Sequence, residues 1–290
     1  MNRQRSSRPF TAACIQNCAG TDMAANIDDS AELIREAHAA GAEFIATPEF
    51  FSCLDKSDDG LEVGAHPEST HPALLTLSSL ARELEAWLLL GSLAIKDGGG
   101  RLRNRSLLID NRGRIVARYD KIHMFDVDLA NGESYRESEL FVAGDEAVIA
   151  PIGWGMLGLS VCYDLRFPHL YRQLAQAGAQ LISVPAAFTK TTGEAHWHTL
   201  LQARAIETGC FVLAPCQFGR HGAAATYGHS LIIDPWGRVL ADGGEERGFV
   251  SADINLSTVD EARRMIPALS HDRDFRVVDN APTVRLAGTS

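Results

Sequence analysis

A twelve-residue block occurs twice in this chain, 124 positions apart. Ser106-Leu-Leu-Ile-Asp-Asn-Arg-Gly-Arg-Ile-Val-Ala117 aligns with Ser230-Leu-Ile-Ile-Asp-Pro-Trp-Gly-Arg-Val-Leu-Ala241, and seven of the twelve positions are identical. Each copy reads as a β-hairpin: an apolar strand, an Asp-x-x-Gly turn and a second strand. At the same offset, residues 75–92 fall on 199–216, and both pieces read as a helix running into an apolar strand. A second pair lies upstream at an offset of 137, where residues 41–51 parallel 178–188. Each of these is a helix-ending glycine followed by a strand that stops at proline, Pro48 or Pro185. Repetition at this distance means two copies of a strand–helix unit. A solenoid repeats at roughly 20–50 residues.

Each copy alternates strands with amphipathic helices. The apolar spacing predicts helices over 28–40, 72–87, 168–177 and 194–208. Such alternation means an α/β fold, with Val-, Ile- and Leu-rich strands buried under helices. Two pseudo-equivalent halves then suggest two sheets packed face to face with helices outside, a four-layer α-β-β-α sandwich. A site would fall where strand ends from the two halves meet. At one such strand end the copies differ: Glu49 in the first is matched by Ala186 in the second.

The 290 residues suit one α/β domain, read here as 9–275 with tails at 1–8 and 276–290. A net charge of −10 argues against nucleic acid or an anionic membrane as partner, since both need a basic face. No run approaches the ~18 apolar residues of a membrane span. The basic start, Met1 to Arg8, precedes only a short apolar stretch, which is too weak for a signal-peptide core. A cytosolic chain with a loose leader is expected. Six cysteines without a CxxC pair imply neither a disulfide framework nor a zinc site. His196 and His198, two apart on a helix, point to different faces and do not make a chelating pair.

The most reactive candidate is Cys162, in Gly158-Leu-Ser-Val-Cys162-Tyr-Asp-Leu-Arg166-Phe-Pro168. It closes a buried strand and directly precedes a helix that Pro168 opens. A helix N-terminus favours a thiolate, and the same backbone N–H groups could hold an oxyanion. Glu49 ends an apolar strand between Pro48 and Phe50, where desolvation suits a carboxylate to move protons near neutral pH. Lys121 follows the first repeated hairpin and precedes apolar Ile122, Met124 and Phe125. If it is buried it needs an anion nearby. A loop at 126–139 carries Asp126, Asp128, Glu133, Glu137 and Glu139, and composition does not say which of them turns inward.

Pro48-Glu49-Phe50, Tyr119-Asp-Lys121-Ile-His-Met-Phe-Asp126 and the Cys162 segment resemble, in order, the Glu–Lys–Cys motifs of the nitrilase superfamily of carbon–nitrogen hydrolases. The resemblance spans roughly 9 to 275. Around Trp197–Thr208, Gln217–His221 and Tyr227–Gly237 it is most similar to the branch that acts on deaminated glutathione. The branch of omega-amidases acting on α-ketoglutaramate is the nearest competitor. The resemblance implies Glu49 as general base, Lys121 as oxyanion-stabilising cation, Cys162 as nucleophile with the Tyr163 N–H as oxyanion donor, and Glu137 as the second glutamate. It also implies Arg166, with Phe188 and Thr189, on the substrate, the α-β-β-α sandwich usually paired into dimers, and no cofactor. The chain departs from relatives near 129–131, where Gly132 takes the place of a nearby Pro or Gly.

The reaction so implied is hydrolysis of a small carboxamide through a thioester, with deaminated glutathione the expected substrate. Arg220 and His221 follow a strand that ends near the sheet rim, so they are candidates for a second substrate carboxylate. Nitrile or N-carbamoyl hydrolysis would use the same three residues. The non-enzyme alternative is an inactive interaction protein, for which a buried lysine facing a thiol has no use. A serine nucleophile at Ser160 is disfavoured, because Cys162 stands where a nucleophile elbow needs Gly.

Overall fold

The computed structural model describes residues 8–57, 60–129 and 132–278. Most of the expected tails, and Ala130 and Asn131 of the loop where the chain departs from its relatives, lie outside these residues. Twelve strands form two six-stranded sheets. In chain order they are β1 (Phe10–Gln16), β2 (Phe44–Ala46), β3 (Trp87–Lys96), β4 (Leu102–Ile109), β5 (Ile115–Asp120), β6 (Ile149–Pro151), β7 (Met156–Leu159), β8 (Leu181–Ser183), β9 (Phe211–Ala214), β10 (Leu231–Ile233), β11 (Val239–Asp242) and β12 (Gly248–Ile254). The first sheet runs β12-β1-β2-β3-β4-β5 and the second β6-β7-β8-β9-β10-β11. Across each sheet the pairings read antiparallel, parallel, parallel, antiparallel, antiparallel.

The repeat in the sequence is thus a repeat in space, with one exchange. In the second half the outer antiparallel strand, β6, comes before its neighbour β7. In the first half that place is taken by β12, from the far end of the chain. The two twelve-residue copies are β4–β5 and β10–β11. Both slip register at the same point, Leu108/Ile109 and Ile232/Ile233. Both turn on an aspartate, with the Arg112 and Arg114 N–H groups on Asp110 Oδ1 and those of Trp236 and Arg238 on Asp234 Oδ1. The identical glycines sit at φ 76° (Gly113) and 82° (Gly237), where a Cβ is strained.

Helices cover the outer faces: α1 (Met23–Ala39) and α2 (Pro72–Leu84) on the first sheet, α3 (Pro168–Gln176) and α4 (Lys190–Thr208) on the second. Strand alternation sorts the two cores. Ala13 and Ile15, Leu88 and Leu90, Leu107 and Ile109 pack toward α1 and α2. The alternate residues Ala12 and Cys14, Leu89 and Leu108 join Leu157, Leu159, Leu181 and Leu213 between the sheets. The expected sandwich is what forms. Helix boundaries shift: α1 starts earlier than expected because Asp22 caps it, accepting from Ala25 N, and Trp87 opens β3 rather than ending α2. The apolar spacing did not reveal α5 (Ser257–Met265), a short, strongly polar helix with only Val259 and Ala262 buried.

Candidate active site

Strand ends from both halves meet as expected. Glu49 follows β2, Lys121 follows β5 and Cys162 follows β7, all with at most 9% exposure. Glu137 opens a short 3-10 turn (Glu137–Glu139) after a small hairpin of Asp126–Asp128 and Ser134–Arg136. It is the loop acid that turns inward: Asp126, Asp128 and Glu139 stay exposed.

Lys121 is the centre of this group. Its Nζ donates to Glu49 Oε1 at 3.1 Å and to Glu137 Oε1 and Oε2 at 3.0 and 2.8 Å. Burial alone would push the ammonium's pKa down. The charges of Glu137 and Glu49 reverse this and hold it well above the usual lysine range. Asn104, on β4, donates its Nδ2 to both carboxylates, at 2.8 Å to Glu49 Oε1 and 2.9 Å to Glu137 Oε1. The Phe125 N–H adds a 2.7 Å bond to Glu137 Oε2. On the other side Glu49 Oε2 accepts from the Ala187 N–H of the second half at 2.9 Å. Gln217 holds the same corner, its Nε2 donating to the Glu49 and Phe50 carbonyls.

Cys162 departs from expectation in one respect. The segment after it is a five-residue 3-10 turn, Cys162–Arg166, and α3 begins only at Pro168. The Cys162 N–H is engaged by the Pro185 carbonyl at 2.9 Å. No α-helical dipole therefore stands at the sulfur. Burial, and next the charge of Glu49, push the thiol well above its ordinary range, against the opposing pull of Lys121. These surroundings favour the thiol form, so a neighbouring base is what makes the sulfur a nucleophile. The residue sits at φ 47°, a left-handed conformation that L residues avoid. Asp164 supports that turn. Fully buried, it accepts from Val161 N at 2.9 Å and Tyr119 O–H at 2.6 Å on Oδ2, and from His123 N and Nδ1 at 3.1 and 2.7 Å on Oδ1. It thereby ties the cysteine turn to both sides of Lys121. Arg204 holds the turn's far end, donating to the Leu165 carbonyl at 3.0 and 2.7 Å.

Glu49, Lys121, Glu137 and Cys162 line the floor of one cavity of about 460 Å³. A buried thiol beside a carboxylate, a paired ammonium and a second carboxylate can generate a nucleophile, return a proton and stabilise an oxyanion without leaving the cavity. Over residues 11–264 the sequence matches the carbon-nitrogen hydrolase family. The chain belongs to that family.

This hydrolase is an amidase, and its relatives agree on the class. It is 40% identical over 272 residues to the deaminated glutathione amidase of Synechocystis sp., covering 91% of this chain and 98% of the relative. Its fold superposes on the crystal structure of the C. elegans NitFhit protein with a TM-score of 0.84 at 36% identity, over 93% of this chain and 66% of that one. A third comparison is an amidase mutant from Nesterenkonia sp. AN1, with a TM-score of 0.73 and 26% identity over 90% of this chain and 96% of that one. There the acetamide moiety of fluoroacetamide is covalently added at the active-site cysteine.

The remaining sequence candidates divide. Tyr163, Phe188, Thr189 and His221 of this hydrolase line the cavity. His221 is buried with both ring nitrogens engaged, Nδ1 at 2.7 Å from the Ala19 carbonyl and Nε2 at 2.8 Å from Thr226 Oγ1, so it shapes the wall. Arg166 and Arg220 do not line the cavity. Arg166 packs over the Phe188 ring at 5.4 Å and lies 3.3 Å from His196 Nδ1. Arg220 is exposed on the hairpin of Phe218–His221 and Ala224–Tyr227, where alternation turns His221 inward and its neighbour outward. Sequence reasoning missed Asn104, Asp164 and Lys56. Asp164 is an acid among apolar neighbours, a signal that a buried network needs it, whereas Asn104 stands between Arg103 and Arg105 and carries no such signal. Lys56 is a cation between Asp55 and Ser57 in a short polar strand, which carries no such signal either.

Proposed function

We propose that this amidase cleaves deaminated glutathione, an amide of an α-keto diacid, through a thioester on Cys162. The observation that carries the reading is the buried Cys162 thiol sharing one cavity floor with Glu49, Lys121 and Glu137. Glu49 takes the proton from Cys162 Sγ, and the sulfur attacks the amide carbon. Negative charge develops on the carbonyl oxygen, where the Lys121 ammonium and the Tyr163 N–H receive it. Glu49 then passes the proton to the nitrogen, the C–N bond breaks and the amine leaves. A water, deprotonated by Glu49, attacks the thioester, and the Cys162 thiol reforms as the acid departs. Glu137 and Asn104 hold Lys121 and Glu49 in place throughout. Metal and organic cofactors have no step in this scheme.

The substrate reading is supported by the 40% identity to a deaminated glutathione amidase over nearly the whole of both chains. We further propose a single catalytic domain over 9–275, a homodimer or higher homo-oligomer, and a cytosolic location. The interleaving of β12 into the first sheet favours one domain, and six free cysteines suit a reducing compartment. Among the described residues no helix is long and apolar enough to cross a membrane.

The test is turnover of deaminated glutathione and of α-ketoglutaramate by purified protein, followed by dipeptide or ammonia release, with mass spectrometry for the acylated Cys162 peptide. Preference for deaminated glutathione and an acyl adduct on Cys162 are expected. A higher kcat/KM on α-ketoglutaramate would move the omega-amidase reading ahead, and turnover by Cys162→Ala would end the covalent scheme.

A further inference from the structure

Besides the neutral His221, three cationic side chains line the cavity: Lys121, Arg136 and Lys56. Lys121 is committed to Glu49 and Glu137 on the floor. Arg136 pairs with Asp128 at 2.8 Å. Lys56 alone of the three has no carboxylate partner among the described residues. Its Nζ donates once, to the Ser134 carbonyl at 2.8 Å, and lies 3.7 Å from the centre of the Tyr135 ring. An ammonium has three donors, so this leaves one or two for a ligand.

The backbone at Lys56 is fixed as firmly as the side chain. Ala223 N–H donates to the Lys56 carbonyl at 2.8 Å, in a bridge between Lys56 and Gly222. Gly222 stands at φ 62°, and a Cβ there would approach that carbonyl to 2.4 Å. Three stretches that are far apart in the chain, near 56, 134 and 222, are therefore pinned together beside the cavity. Their meeting point presents a half-buried positive charge on the wall of the cavity that Cys162 also lines.

We infer that Lys56 forms a carboxylate subsite on the cavity wall, selecting amides whose leaving-group end carries a carboxylate several bonds from the scissile carbonyl. This rests on the amidase reading above and takes Lys56 in place of Arg166 and Arg220, which are not among the cavity-lining residues. An ammonium with no carboxylate partner among the described residues, held on a carbonyl and a ring face, suits a carboxylate arriving from solvent, because the ion pair forms without breaking one described here. Glu139, exposed and lining the same cavity, adds repulsion against anions and makes the single cation the deciding contact.

The experiment compares deaminated glutathione, its C-terminal carboxamide analogue and α-ketoglutaramate. Each is assayed with wild type, Lys56→Met and Lys56→Arg. Wild type is expected to favour the free-acid tail over the carboxamide by about tenfold to a hundredfold, the range of a hydrogen bond to a charged group. Lys56→Met should erase that ratio mainly through KM, and Lys56→Arg should restore part of it. Equal losses on all three substrates would make Lys56 a structural pin and overturn the subsite. A loss on α-ketoglutaramate as large as on the tailed substrate would place the cation at the acyl end, and overturn it as well. Binding of both tailed compounds to Cys162→Ala protein, by calorimetry, separates the two proposals. If wild type leaves deaminated glutathione uncleaved, the substrate reading fails. The subsite then stands or falls on whether the free-acid form binds Cys162→Ala more tightly and loses that advantage in Cys162→Ala/Lys56→Met.

Discussion

Replacing Asp164 by Asn tests whether the cysteine turn is held by a buried carboxylate. Asp164 accepts four hydrogen bonds, two on each oxygen, and has no exposure. Asparagine keeps the shape but offers one oxygen and one NH₂. With the NH₂ toward Tyr119, the hydroxyl can rotate to accept, and the Val161 N–H is orphaned. With the NH₂ toward His123, the ring can accept on Nδ1, and the His123 N–H is orphaned. Either way one buried backbone N–H loses its partner, at about 1–3 kcal/mol, and the surviving bonds drop from charged to neutral strength. Relief of a buried charge offsets part of this. A net loss of about 2–4 kcal/mol of unfolding free energy follows.

The same change reaches the chemistry. The Val161 bond sets the residue before Cys162, and the Tyr119 and His123 bonds flank Lys121. A slip of about 1 Å between nucleophile and cation can cost about a hundredfold in rate. Urea unfolding followed by circular dichroism, alongside kcat measured at a urea-free temperature well below the transition, reads both effects. Tyr119→Phe removes one of the four bonds and should cost about 1–2 kcal/mol, less than the Asn variant. An Asp164→Asn protein with wild-type unfolding and kcat within about twofold would refute the reasoning.

Other expectations follow from the same geometry. Cys162→Ala should abolish turnover while the melting temperature stays close to wild type, because a small side chain shrinks in a cavity wall; residual turnover at the wild-type rate sinks the nucleophile assignment. Lys121→Arg should lower kcat by about a hundredfold or more despite its charge, since a planar guanidinium does not fit between Glu49 and Glu137; near-normal kcat would show Lys121 to be structural. Alkylation of Cys162 by iodoacetamide should lack a midpoint near 8.5, because the thiol is held well above that range. The exposed Cys18 will compete for the reagent, so labelling is read peptide by peptide. His71 is buried with both ring nitrogens unpartnered, and burial depresses its pKa to about 4. Its folded value lies below its unfolded one, so its contribution is intact above pH ~6.5 and is lost as pH falls toward 4, by on the order of 3 kcal/mol. His71→Phe should flatten that part of the stability–pH curve, and an unchanged slope would refute it.

How much was legible in the chain follows from what kind of information each feature needs. The hairpin copies at 106–117 and 230–241 predicted paired sheets because a repeat of periodicity and turn residues is a local property. That copying persists down to the shared register slip after Leu108 and Ile232. The exchange of β12 into the first sheet was not legible, because no local pattern says which sheet a distant edge strand joins. Glu49 and Cys162 stood out because each follows an apolar strand and Lys121 because it follows the repeated hairpin, and strand ends gather at one rim. Arg166 and Arg220 do not line the cavity, and sequence proximity to that rim does not give side-chain direction. A one-residue step on the 218–221 strand puts His221 inward and Arg220 outward.

The difference between the two halves explains why chemistry needs the repeat to be imperfect. Glu49 and Ala186 occupy matching strand ends, yet they do not act separately: Glu49 reaches across and accepts from the N–H of Ala187, the residue after its counterpart. Had the second copy also kept a glutamate, two carboxylates would converge where one backbone N–H and one lysine now suffice. Like charges at that distance would force one to protonate. The small residue at 186 removes that conflict and leaves the second half's backbone free to orient the first half's base. Ala186→Glu is the corresponding reversal. It should leave the outer helices and both sheets paired, and it should lower kcat by displacing Glu49 from the Ala187 N–H. A variant that keeps both full kcat and an unshifted acid limb of the rate profile would show that the two strand ends are independent.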